Sequence, residues 1–140
     1  MDWTLELIVV PVSDVDRAKA FYTDQAGFGL DVDTGAESGF RVVQLTPPGS
    51  GCSIALLGQG QQMAPGSMHG LHLCVEDIVD ARAELVGRGV AASEPFHFGA
   101  AGQAPGLDPG RRNYATFLTF NDPDGNTWLV QEKHRAAAGT

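Results

Sequence analysis

The sequence predicts an α+β domain made of two tandem βαβββ units. Three observations lead there. The chain has 140 residues, 43% of them hydrophobic and 19% charged, which suits one folded domain rather than a disordered segment. A strand–helix–strand pattern begins near residue 5 and starts again near residue 70. Equivalent residues recur in the two halves: Val12-Ser13-Asp14-Val15 corresponds to Val75-Glu76-Asp77-Ile78, and Ala18-Lys19-Ala20 to Ala81-Arg82-Ala83 at the same offset. Pro48 in the first hairpin corresponds to Pro123 in the second. A single unit of this kind exposes an apolar sheet face, so two must pair to bury or share it. The expected organisation is one domain over 1–140, with repeats at about 1–60 and 67–133 and a tail at 134–140.

Each element has a local reason. Leu5 to Val12 is an apolar, β-branched run and reads as a strand. Ser13 is placed to cap the helix that follows, with Asp16 three positions on and Val15, Ala18, Phe21 and Tyr22 at helical spacing. Gly27 ends that helix. Strands are expected at Leu30–Val32, Phe40–Thr46 and Cys52–Leu57, the last two joined by the Pro47–Gly51 turn. Gly58–Ser67 reads as a linker. In the second half Leu71–Val75 is a strand, and Asp77 opens a helix closed by Gly87–Gly89. Strands then fit Val90–Ser93, Tyr114–Phe120 and Thr127–Glu132. Gly99–Asn113, rich in Gly and Pro, reads as a long surface loop that is either a lid or a passive insertion.

Composition excludes several functions. Nine Lys and Arg against 17 Asp and Glu give a net charge of −8. With no basic cluster beyond Arg111-Arg112, nucleic acid is a poor partner. No apolar run is long enough to span a bilayer and no leader pattern opens the chain, so no membrane partner and a cytoplasmic location are expected. Cys52 and Cys74 are too few for a disulfide scaffold and read as buried thiols. No nucleophile elbow or phosphate loop is present.

Val10-Pro11-Val12-Ser13-Asp14-Val15-Asp16-Arg17-Ala18-Lys19-Ala20-Phe21-Tyr22, the restart at residue 70 and the turn Asn121-Asp122-Pro123-Asp124-Gly125-Asn126 resemble the vicinal oxygen chelate superfamily. That group comprises glyoxalases, bleomycin-resistance proteins, fosfomycin-resistance enzymes and extradiol dioxygenases. The resemblance runs from about Leu5 to Glu132. It implies paired βαβββ modules curled into a cup-shaped, partly open β-barrel with helices outside, and a homodimer. Enzymes of the group hold a divalent metal in the cup through His, Glu or Gln. The corresponding positions here are Leu7, Gly70 and Leu129, with Ile54 as the first-module counterpart of Leu129 when the halves are aligned through Pro48. None carries a donor. A catalytic metal needs about three protein ligands and an open position, so neither metal nor other cofactor is expected.

The chain therefore most resembles the metal-free bleomycin-resistance branch. The expected function is metal-independent binding that sequesters a hydrophobic or aromatic natural product, a cationic one being compatible with the net charge. The expected lining is Leu5, Leu7, Val9, Ile54, Leu56, His72, Leu129 and Gln131, with Phe96 and Phe98 at the mouth. No catalytic residue is assigned. Trp3, Trp128 and Tyr22 read as structural, and Glu132 as a solvated or dimer-contact carboxylate. The alternative is a lyase, isomerase or oxygenase with a rebuilt or absent metal site, in which His72 would be the acid or base.

Overall fold

The computed structural model describes residues 1–134; the remainder of the expected tail lies outside the described residues. The fold is α+β, with two sheets and two helices. By their contacts, the described residues divide into two units: Met1–His69 with Asp122–Asn126, and Gly70–Asn121 with residues 127–134.

The first unit runs β1 (Leu7–Val9), α1 (Val15–Ala20), β2 (Gly29–Thr34), β3 (Val42–Thr46) and β4 (Ser53–Leu57). Its sheet has the order β1-β4-β3-β2, with β1 parallel to β4 and the other pairs antiparallel. Asp14, not Ser13, caps α1, accepting from Arg17 N–H at 3.0 Å. Ser13 is otherwise engaged: its hydroxyl donates to Asp124 at 2.5 Å. The helix widens into a π turn over Phe21–Gln25, and Gly27 then takes a φ of 78°, which costs glycine little.

The turn Asp122–Asn126 packs within this unit. Tyr22, fully buried, donates its hydroxyl to Asp122 at 2.7 Å. Asn126 donates to Pro11 O at 2.8 Å and accepts from Met68 N–H at 3.0 Å. Both polar residues are buried and satisfied, as buried polar groups must be. The turn motif read from the sequence thus has a structural purpose independent of chemistry.

The second unit runs β5 (Leu71–Val75), α2 (Ile78–Gly87), β6 (Phe96–Gly99), β7 (Gly102–Pro105), β8 (Thr116–Asn121) and β9 (Thr127–Glu132). The sheet order is β5-β9-β8-β6-β7, with β5 parallel to β9. Asp77 caps α2, accepting from Val79 and Asp80 N–H. Neither sheet closes into a barrel: β1 and β2 are edges of one, β5 and β7 of the other.

Three expectations need correcting here. Val90–Ser93 is not a strand, because Val90 N–H bonds Leu85 O at the end of α2 and so belongs to that helix's exit. The supposed loop after Gly99 begins as a hairpin, β6 pairing with β7. Trp3 is 89% exposed, whereas Trp128 is buried and stacked on Phe120 at 6.1 Å.

Candidate functional site

In each sheet, successive side chains point to opposite faces, one of them the more open except along β4, where Ser53 to Leu56 are all buried. The closed face of the second sheet is settled by α2. Leu118, Val130, Trp128 and Glu132 are 0–3% exposed, and Glu132 accepts from Ile78 N–H at the helix start at 2.9 Å. The other parity is the open face. There His72 stands beside Leu129 and Cys74 beside Gln131. Gln131 is in turn paired with Phe117, and Phe117 with Phe96.

Phe96, Phe98 and Phe117 form an aromatic cluster, with ring centroids 5.7–6.1 Å apart and two of the three pairs edge to face. Such geometry suits the ring quadrupoles and keeps the rings rigid. Phe98 is 58% exposed, so one edge of the cluster stands open to solvent. A cleft of about 290 Å³ opens beside it, lined by Phe98, Arg112, Asn113, Tyr114, Ala115 and Phe117. A second, of about 450 Å³, is bordered by Phe96 and Thr119.

The cleft's rim is tied down from beneath. Asp108, 1% exposed, accepts from Arg112 through both its backbone and its guanidinium, and its own N–H donates to Thr116 Oγ1 at 3.0 Å. The Arg112 guanidinium holds the Asp108 carboxyl well below the usual carboxylate range. Arg111 forms two bonds to Glu132, Nε to Oε1 at 2.9 Å and an Nη to Oε2 at 2.5 Å. This bidentate pairing is the main cause that lowers the Glu132 pKa; burial opposes it. Glu132 is therefore neither solvated nor a dimer contact. It is a buried anchor joining β9, α2 and the rim.

The first sheet corrects two further assignments. Leu7 pairs with Ser53 and Val9 with Ala55, so these four share a face, while Ile54 and Leu56 point the other way. Ile54 and Leu56, at 3% and 0% exposure, join Val43 and Leu45 on the closed face. They are core, not lining. The cause is one residue of turn: six residues (47–52) link β3 to β4, but five (122–126) link β8 to β9. A one-residue difference reverses every side chain beyond it, so Ala55 occupies the place in β4 that Leu129 occupies in β9. Leu5 lies outside β1 and is 66% exposed. Leu7 and Val9 are half-buried on the open face.

Of the remaining candidates, His72, Phe96, Phe98, Leu129 and Gln131 all fall on the open face of the second sheet. Phe117 belongs with them and escaped the sequence reading; its odd-numbered parity with Thr119 and Gln131, within a strand already assigned, was the available signal. His97 turns away and its Nδ1 lies 2.9 Å from Gly106 O. Cys74 is exposed and Cys52 half-buried rather than sequestered.

The residues do not fit a metal. The positions implied by resemblance hold Leu7, Gly70, Leu129 and, by the corrected register, Ala55. Among the described residues no group of three His, Cys, Asp or Glu side chains could hold an ion.

A family model described as the Glyoxalase/Bleomycin resistance protein/Dioxygenase superfamily matches residues 4–130. The chain belongs to that superfamily. Its solved relatives include TnmS3, an antibiotic binding protein from Streptomyces sp. CB03234, at 32% identity and a TM-score of 0.73, covering 94% of this chain and 96% of that one. A glyoxalase/bleomycin resistance protein from the same organism is 33% identical with a TM-score of 0.70, covering 92% and 100%. A superfamily member from Sphaerobacter thermophilus DSM 20745 is 27% identical with a TM-score of 0.69, covering 94% and 98%. No curated protein matches the chain.

Proposed function

We propose that this superfamily member is a metal-independent small-molecule binding protein that sequesters a hydrophobic or aromatic natural product of the antibiotic class. The observation that carries the reading is the phenylalanine cluster at 96, 98 and 117, open beside a cleft of about 290 Å³ on the same face as Leu129. Likeness to an antibiotic binding protein at 32% identity supports it. The lining is His72, Phe96, Phe98, Phe117, Leu129 and Gln131, all on the open face of the second sheet.

The energetics suffice without a metal. A planar ligand burying about 300 Å² of apolar surface gains about 7 kcal/mol, and ring contacts add roughly 1 kcal/mol each. With association costing at least about 4 kcal/mol, roughly 6 kcal/mol remains, a dissociation constant of tens of micromolar. Acid–base chemistry is less well supported. The imidazole of His72 has no hydrogen bond or ion pair among the described residues, so nothing fixes its tautomer or aims it at a reacting atom.

The two strand orders read as two copies of one βαβββ unit, the second enlarged by β7. A cytoplasmic homodimer is the assembly we infer; no described helix is long and apolar enough to cross a membrane.

The test is thermal denaturation with a panel of aromatic antibiotics, followed by mass analysis of the recovered compound. Hits should raise the midpoint, come back chemically unchanged, and lose most of their effect in Phe117→Ala and Leu129→Trp proteins that retain wild-type circular dichroism. Conversion of a hit to product, or shifts untouched by both substitutions, would overturn the proposal.

A further inference from the structure

The same face carries information about the ligand's charge. Lys133 lies two residues beyond Gln131 and its N–H bonds Val75 O at 2.8 Å, so it continues the open-face row of Thr127, Leu129 and Gln131. Its ammonium sits 5.9 Å from the centre of the Tyr114 ring, and Tyr114 lines the cleft. Every other described Lys or Arg has a carboxylate within ion-pair distance. Among the described residues Lys133 is the cation that no carboxylate answers. An ammonium held over an aromatic face keeps most of its charge available to a third partner.

Two carboxylates beneath the rim offer nothing to a cation. Asp108 and Glu132 are 1% and 0% exposed, and each is already taken by an arginine. Arg112, which lines the cleft with a side chain 72% exposed, keeps its guanidinium paired with Asp108. A cationic ligand would meet a like charge at Lys133 that no carboxylate offsets; an anionic one would meet that ammonium beside rings able to pack its aromatic part. The net charge of −8 does not reverse this preference, because charges more than about 8 Å away are screened at physiological salt.

We infer that the cleft between Phe98, Phe117 and Tyr114 selects planar aromatic acids, with Lys133 as the residue that recognises the anionic group. The inference rests on the binding reading above and replaces the cationic ligand that the net charge alone would admit.

The probes are three naphthalenes of similar size whose 2-substituents differ in charge: 2-naphthoate, 2-naphthalenemethanol and 2-naphthalenemethylammonium. Calorimetry on the full chain should rank the acid at least tenfold tighter than the alcohol, and the alcohol tighter than the ammonium. Raising salt from about 50 to 500 mM should weaken the acid alone. In Lys133→Gln the acid and alcohol should differ by no more than about threefold, while Lys133→Arg should restore most of the preference. Equal binding of the three, preference for the ammonium, or an acid preference surviving in Lys133→Gln overturns the charge assignment and leaves the binding function standing. Failure of all three to bind would overturn both, whereas loss of alcohol binding in Phe117→Ala would place the probe in this cleft.

Discussion

Glu132 concentrates the residue-scale physics. A carboxylate with no exposure is tolerable only when its charge is answered, and here Arg111 and the Ile78 N–H both answer it. Arg111→Met leaves that charge buried with the helix N–H as its main partner and should cost about 3 kcal/mol in urea denaturation at neutral pH. The pH dependence follows from the direction of the shift. The folded carboxyl titrates below its ordinary value of 4.5, so its stabilisation is complete above the unfolded pKa and is lost as pH falls through the lower, folded one. The stability gap between wild type and Glu132→Gln should therefore be widest near neutrality and shrink as pH falls below the ordinary carboxyl value of 4.5. A gap independent of pH would mean that the charge is not what matters. Asp33 and Asp108, lowered by Arg41 and Arg112, make the wild type itself acid-sensitive in the same direction.

Among elements, the contrast between β4 and β9 is the most instructive. Ile54→Ala should destabilise the fold by about 3 kcal/mol, since it empties a core position. Leu129→Ala should cost about 1 kcal/mol or less while weakening ligand binding; equal costs in chemical denaturation would contradict the assignment of faces. How far the sequence could be read follows from the same contrast. β5 and β9 were legible to the residue because each is a short strand built on apolar residues, Leu71, Leu73 and Val75 in one and Trp128 to Val130 in the other, bounded by turn residues. The helix caps were legible to within one residue, since Ser13 and Asp14 both have capping chemistry and only the tertiary bond to Asp124 separates them. The β6–β7 hairpin was hidden because its second strand, Gly102–Pro105, has no apolar alternation to reveal it. The face of Ile54 and Leu56 could not be found by aligning prolines: register depends on turn length, and a β-branched core residue looks like a lining residue until its partner strand is known. Phe96 and Phe98 were visible as an aromatic pair. Phe117 joined them only when β8 was paired with β6.

At the level of the whole molecule, ion pairing explains the charge pattern. An excess of acid keeps the surface soluble, yet almost all described basic side chains are spent internally, which leaves electrostatics at the cleft to a single lysine. The inferred homodimer predicts a mass near twice 14.8 kDa by light scattering at micromolar concentration; a monomer at all concentrations would refute it. The rim of the cleft has one more implication. Arg111 and Tyr114 hold left-handed φ values of 48° and 59°, a posture that costs a non-glycine residue on the order of 1 kcal/mol. Glycine at either place would relieve that tension but would forfeit a guanidinium or a ring. The backbone's discomfort thus sets a floor on what those two side chains must return, and it marks the short stretch between them as the part of the chain kept for what it holds rather than for how easily it folds.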